Sequence, residues 1–481
     1  MRCKEVVRKV EGFNIESVAK TLELACLLHD VGHAPFSHTG ETFFLDNDSS
    51  GKRYVKLHEE LSKVVQSEQF DDDIPKAESG AAAPHEITSA IIGLKYFGKF
   101  FNSDFEREFF ARCITGYQYS NIGEKESLYN CFISVLNSKI IDVDRLDYLI
   151  RDAYFTGFET VNIDYLRLLL SIDVSRIEDD DSQQVRYKLV YSKNAVSVIE
   201  NVVYAHDSER KWIQTHPVVL YDMYIIQHII SKLNKKYKDS KLFSVEALSK
   251  YGVMLSDDRR VSLLCDDDVI HLLKANSDQD SLIDEYFSRN LRRHPLWKSE
   301  AEYSAYIGNN FDGESFKEFK RKISETEEYV RKYSDGWVIN DRVLEKLEDE
   351  IEAIKNSAET GVDDASKNRQ IKSKTSILHI MKCLKECSRV HKCEFDFVIL
   401  KAGQFYSNFN KKEFGNIQIK FHGMKNKDGI FKIDDIISTL SAPDSTKEDF
   451  FYLYYKKDSD VEFNKEKFCK TLYSQFIADD M

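Results

Sequence analysis

Apolar residues recur at helical spacing along most of the chain. Val18, Leu22, Ala25 and Cys26 mark one face of a helix that runs into Leu27-Leu28-His29-Asp30, and Gly32 is expected to break it. Ile87, Ala90, Ile91 and Leu94 fit the 3.6-residue period of a second helix, opened by Pro84. Phe109 to Ser134 reads as helical, aromatic-rich core. Asp144, Tyr148 and Asp152 lie four apart and share one helix face, with Asp147 and Arg151 an ordinary ion pair in the row beside it. Residues 245–296 continue helical, Asp266 to Asp268 being an acidic start that suits the helix dipole.

Strand patterns are fewer. Val185 to Tyr191 reads as a strand leading into a helix, and Cys393–Leu400, Ile417–Phe421 and Phe450–Tyr455 are β-rich around a helix over Asp434–Leu440. The expected fold is mainly α, with a helical core over residues 1–300. A charged helical insertion and linker over 301–370 and a small α+β C-terminal lobe over 371–481 follow.

Polar stretches punctuate this pattern. Asp46 to Gly51 is a turn, Asp71 to Ala83 a linker, and Ala358 to Asp364 a flexible end to the charged insertion. His58, in Lys56-Leu57-His58-Glu59-Glu60, is expected on a solvated helix face. The net charge of −13 over 481 residues makes a broad nucleic-acid surface unlikely, though not a local basic pocket for a nucleotide. No run approaches the roughly 18 apolar residues of a membrane span, and no apolar region follows the charged start. Nine cysteines without regular spacing read as reduced thiols of a cytoplasmic protein.

Titratable groups cluster at the end of the first helix. His29 and Asp30 close a half-buried apolar run, where a divalent ion (Mn, Mg, Fe, Co or Zn) would offset the cost of burying them; a self-satisfied structural cluster is the alternative. His33, His38 and Glu41 follow at once. Pro84-His85-Glu86 opens the second helix, where Glu86 either orients the imidazole or caps the helix beside a surface His. His206 and Arg210 lie at i, i+4 with Lys211 adjacent, which suits either a phosphate-binding cluster or an exposed charged helix. Cys383, Cys387, His391 and Cys393 invite a zinc reading, but their spacing fits no paired Cys-x-x-Cys site, and core cysteines account for them better.

The stretches LLHDVGHAPFSHTGE (27–41), PHEITSAI (84–91) and IDVDRLDYLIRDAYFTGF (141–158), in this order, resemble the HD-domain phosphohydrolases, in particular the dGTPase-like deoxynucleoside triphosphate triphosphohydrolases. The resemblance implies an HD-domain helical core and one divalent metal ion on His29, Asp30 and Asp144. It also implies a further His ligand upstream. No His precedes His29, so Met1 is expected to be internal to a longer natural chain; a catalytically impaired nucleotide-binding regulatory protein is the alternative. The resemblance places His33, His38, Glu41, His85 and Glu86 in catalysis, with His85 paired to Glu86 and His38 to Glu41. It puts Tyr148 and Asp152 on the sugar and lets Arg145 reach a phosphate. A deoxynucleotide substrate is implied, cut to nucleoside and tripolyphosphate, as are a homo-oligomer and a nucleotide activator. An HD hydrolase of another nucleotide is the remaining alternative.

Overall fold

A computed structural model describes residues 10–44, 55–74, 82–138, 141–158, 162–178, 185–237, 243–244, 247–248, 253–254, 260–261, 264–276, 281–288, 291–356, 364–402, 417–421, 429–437, 450–456 and 462–478. The Asp46–Gly51 turn, most of the 71–83 linker, residues 358–363 and residues 438–440 lie outside the described residues, as do residues 1–9. The fold is mainly α with a small α+β lobe. The chain divides into two compact units built from interleaved segments: Met1–Arg210, Ile229–Ala275 and Tyr406–Pro443 in the first, and Lys211–His228, Asn276–Phe405 and Asp444–Met481 in the second. Boundaries read from composition at 300 and 370 are contiguous and cut across this grouping.

In the first unit, α1 (Ile15–Leu28) starts where the Asn14 side chain accepts the backbone N–H groups of Glu16 and Ser17. The short α2 (His38–Glu41), α3 (Val55–Val65) and α4 (Glu68–Asp73) follow. Next come α5 (Pro84–Tyr96), α6 (Asp104–Thr115) and α7 (Glu124–Leu136). The stretch expected as one helical run over 109–134 is thus two helices, because Gly116 ends α6 in the left-handed region at φ 70°. Helices α1, α5, α6 and α7 enclose a core of Ala25, Ile87, Ile91, Phe109, Phe110 and Ile133. Then α8 (Val143–Thr156) is capped by Asp142, whose carboxylate accepts the Arg145 N–H at 2.8 Å, and α9 (Tyr165–Ser171) and α10 (Val196–Glu209) share a second core with it. His58 is half-buried on α3 and sits 2.7 Å from the Tyr117 hydroxyl; it is not on a solvated face.

A four-stranded sheet completes this unit: β1 (Ile172–Glu178) and β2 (Val185–Ser192) form an antiparallel pair. Within residues 245–296 a two-stranded ribbon, β3 (Val253–Met254) with β4 (Arg260–Val261), interrupts the expected helix, and α11 (Asp266–Lys274) follows. In the second unit, β5 (His294–Pro295), β6 (Val338–Ile339) and β7 (Glu394–Ala402) join a later strand, β10 (Phe450–Lys456), in the order β5-β10-β7-β6. Strand β8 (Gln418–Lys420) leaves that lobe: it pairs in parallel with β2 and antiparallel with β9 (Ile430–Lys432), in the sheet of the first unit. β10 (Phe450–Lys456) is antiparallel to β7, with Phe450 opposite Ala402. The segment Asp434–Leu440 holds only a single 3₁₀ turn, Ile433–Asp435, among its described residues.

The charged stretch after residue 309 forms α12 (Gly313–Tyr333), α13 (Asp341–Asn356) and α14 (Asp364–His391), which pack together and against α15 (Lys465–Ala478). Each buries an apolar stripe (Phe319 and Ile323, Leu347 and Ile351, Ile380 and Leu384) and turns most of its charges outward, Lys322 and Glu327 of α12 being buried exceptions. Cys383, Cys387 and Cys393 are buried, and the ring of His391 bonds the Thr471 hydroxyl at 2.8 Å. Among the described residues these four form no group close enough to share a metal ion.

Candidate metal and catalytic centre

His29 follows directly on α1. Its Nδ1 is 2.8 Å from the Cys26 carbonyl, which can only accept, so Nδ1 carries the proton and Nε2 is turned toward the acids. Nε2 lies 3.1 Å from Oδ1 of Asp144 and 3.4 Å from Oδ1 of Asp30. The hydrogen bond with Asp144 pushes the His29 pKa up to about 9 against the opposing effect of burial. A positive charge is therefore favoured between this nitrogen and the two carboxylates. The three donor atoms lie within 4.8 Å of one another, and one imidazole with two carboxylates is a donor set that suits a divalent ion. His29, just after α1, and Asp144 of α8, 115 apart in the chain, thus converge.

The loop after His29 is shaped by close approach. Gly32 lies against α5, where a Cβ would come within 2.2 Å of the Ser89 nitrogen, and its own N–H donates to Ser89 Oγ at 2.8 Å. Phe36 and Ser37 then adopt positive φ (62° and 52°), a conformation costly for side-chain-bearing residues and most often found at functional sites. Asp266, at the start of α11, holds this turn by accepting the Phe36 N–H at 2.8 Å. The acidic start of α11 thus does more than suit its own dipole.

The turn delivers His33 and His38 to His85 at the start of α5. The rings of His33 and His85 stack with centroids 4.0 Å apart, and His38 stands edge-on to each at 5.0 Å. Glu41 joins the group. Its Oε1 accepts the His85 backbone N–H at 2.8 Å and lies 3.1 Å from His85 Nδ1, while Oε2 is 3.3 Å from His38 Nδ1. Burial opposes ionisation of Glu41, yet the hydrogen bonds from His38 and His85 hold its carboxyl well below the usual range. His38 pairs with Glu41 as expected, but His85 pairs with Glu41 too, and not with Glu86. The reason is geometric: adjacent residues at a helix start point apart. Glu86 turns back to cap α5, accepting the Ala83 N–H at 2.5 Å and the Asn137 side-chain N–H at 2.7 Å. Burial pushes its pKa up to about 7. Both the capping and the site readings therefore apply to it, because Glu86 also lines a cavity of about 110 Å³ with His29, Asp30, His85, Asp144 and Arg145.

The other candidates are more scattered. The Arg145 guanidinium borders this cavity, 3.8 Å from the Asp142 carboxylate. Tyr148 and Asp152 share its helix but not the cavity lining; burial pushes the Tyr148 hydroxyl up to about 12, and Asp152 lies 3.4 Å from Arg151 Nε. Asp147 pairs with Arg151 at 2.9 Å as expected. His206 and Arg210 belong to the first unit, with His206 Nδ1 3.5 Å from Asp207. Lys211 belongs to the second, where it lines a cavity of about 540 Å³ with Trp212, His216, Lys298 and Tyr452. Sequence reasoning missed Asn137 and Ser89. Asn137 falls in no motif, Ser89 is a small polar residue within 84–91 with no chemistry of its own to mark it, and the site partners of the two, Glu86 and Gly32, are 51 and 57 positions away.

No protein-family model matches the chain. Curated relatives carry sequence similarity, among them the following three. An uncharacterised protein of Mycoplasma genitalium, MG461, is 28% identical over 204 residues, 41% of this chain and 39% of its own length. The deoxynucleoside triphosphate triphosphohydrolase SAMHD1 homolog of Dictyostelium discoideum is 28% identical over 40% of this chain and 31% of its own. The deoxynucleoside triphosphate triphosphohydrolase SAMHD1 of Xenopus laevis is 30% identical over 31% and 23%. The likeness is to HD-type phosphohydrolases. The chain spans well under half the length of each of these three relatives. Among solved structures, a phosphohydrolase from Bacteroides thetaiotaomicron aligns over 95% of this chain and 84% of its own at 15% identity, with a TM-score of 0.46.

Proposed function

We propose that this protein is a metal-dependent phosphohydrolase that cuts deoxynucleoside triphosphates into nucleoside and tripolyphosphate. The observation that carries the reading is the convergence of His29 Nε2, Asp30 and Asp144 beside two imidazoles held by one carboxylate. His29, Asp30 and Asp144 would hold a divalent metal ion. When bound, such an ion polarises a phosphoryl oxygen and offsets developing negative charge.

The chain's own side chains supply the proton chemistry. Glu41 accepts from Nδ1 of both His38 and His85, which fixes the tautomer with Nε2 unprotonated. One of these nitrogens takes the proton of the attacking water; the same nitrogen or the other, once protonated, returns it to the leaving 5′ oxygen. His33, stacked on His85, limits that ring's movement. Arg145 meets a phosphate oxygen, Tyr148 and Asp152 the sugar, and His206 and Arg210 the distal phosphates. A homo-oligomer and a nucleotide activator belong to the same reading.

The test is incubation of the protein with a panel of nucleotides and Mn²⁺, Mg²⁺ or Co²⁺, with products separated by chromatography. Tripolyphosphate from a deoxynucleotide supports the proposal. Release of monophosphate alone would make it an HD hydrolase of another nucleotide, and binding without products a regulatory protein.

A further inference from the structure

Ser37 stands where a serine side chain has an ordinary task, and it does something else. It is the residue before α2, a position at which a hydroxyl usually accepts a backbone N–H of the first helical turn. Among the described residues it makes no such capping bond. Its Oγ lies 3.3 Å from Nδ1 of His33 instead. The backbone is equally particular. Phe36 and Ser37 both take positive φ, which residues with a Cβ avoid, and such a turn persists only where surrounding contacts impose it. One contact is local: the Ser37 N–H donates to the Ala34 carbonyl at 2.8 Å. The other comes from 230 positions away, where the Asp266 carboxylate of α11 accepts the Phe36 N–H.

The far side of the His33 ring shows what this turn achieves. His33 Nε2 is 3.5 Å from Oδ1 of Asp30, the same oxygen that lies 3.4 Å from His29 Nε2. A carboxylate only accepts, so it favours the imidazole nitrogen that carries hydrogen. In the neutral ring that nitrogen is Nε2, and Nδ1 is left to accept the Ser37 hydroxyl proton. Both nitrogens of His33 are then committed, one to Ser37 and one to Asp30. The ring has no lone pair left for a reacting water. What it can do is fix the direction of the Asp30 carboxylate, as an imidazole or acid behind a metal ligand does.

We propose that Ser37 and Asp266 are positioning residues of the metal centre. Asp266 holds the Phe36–Ser37 turn, the turn sets the Ser37 hydroxyl on His33, and His33 orients Asp30 without itself moving a proton in the reaction. The inference rests on the metal reading of His29, Asp30 and Asp144 given above.

Mn²⁺ affinity of the full chain, read from the electron paramagnetic resonance of the free ion, tests the link. Ser37→Ala removes the hydroxyl and Asp266→Ala the acceptor, and each should weaken Mn²⁺ binding about tenfold. Asp266→Asn keeps an acceptor oxygen and should bind Mn²⁺ like the natural chain. So should Asp267→Asn, which removes a neighbouring exposed acid from the same helix start and so separates the turn contact from the helix dipole. A second measurement needs no metal: nitrogen-15 histidine spectra at a pH where imidazoles are neutral, with the His33 signals identified by their loss in His33→Gln. The natural chain should carry the His33 hydrogen on Nε2, and the Nδ1 signal should shift in Ser37→Ala, where its hydrogen bond is gone. Hydrogen on Nδ1 in the natural chain, or Ser37→Ala binding Mn²⁺ as tightly as the natural chain does, overturns the proposal. A natural chain that binds no Mn²⁺ removes the metal reading instead, and the link from Ser37 to His33 and Asp30 then stands or falls on the His33 tautomer. The same tautomer decides should the alanine variants fail to fold.

Discussion

Glu41 holds two imidazoles with one carboxylate, so its charge matters more than its size. Glu41→Gln keeps the shape but can satisfy only one ring as an acceptor, leaving the other free to change tautomer. Steady-state kinetics of that variant should show kcat down by about tenfold or more with KM little changed. A second residue-scale prediction concerns His58, whose pKa is lowered by burial beside Tyr117. The unfolded chain protonates this ring near its ordinary range, about 6.5, and the folded protein only at lower pH. Its contribution to stability is therefore complete above that range and is lost as pH falls through the folded pKa. Between pH 7 and 5, denaturant midpoints should fall more steeply for the natural protein than for His58→Gln; parallel curves would count against it.

At the scale of elements, the loop between α1 and α2 depends on its contact with α5. Gly32→Ala puts a methyl group into the backbone of Thr88 and Ser89, where nothing flexible can yield. Overpacking of this kind costs about 1–3 kcal/mol, measurable as a lower urea midpoint with the slope unchanged. Because the loop also delivers His33 and His38, activity should fall further than stability does. The helices themselves were legible in the sequence: α1 and α5 follow from apolar periodicity, α5 also from Pro84 at its start, and α8 from the four-residue spacing of Asp144, Tyr148 and Asp152. The positive φ of Phe36 and Ser37 was not, since neither residue type favours that conformation and only the surrounding contacts impose it.

For the whole molecule, a divalent ion on His29, Asp30 and Asp144 would join α1 to α8 and stabilise the folded state by mass action. Thermal melts with Mn²⁺ at about a hundred times its Kd should report close to 2.7 kcal/mol of added stability. Asp144→Asn should abolish most of that shift while leaving the metal-free melting temperature near that of the natural chain, because it removes one charge from a half-exposed position. A metal shift that survives Asp144→Asn would place the ion elsewhere. Strand membership belongs to this scale too. Residues 417–421 and 450–455 look alike in sequence, yet β8 pairs with β2 and β10 with β7.

By itself the sequence determined the helical periods, the helix starts at Pro84 and Asp266 and the chemical types gathered in three motifs, because these depend on neighbours within a few positions. Only the tertiary structure decided that His85 answers to Glu41 and Glu86 to Asn137, that Asp266 props the turn before His38, and which sheet each late strand enters. Those pairings join residues tens to hundreds of positions apart, and local pattern carries no information about which distant donor and acceptor will meet once the cores close.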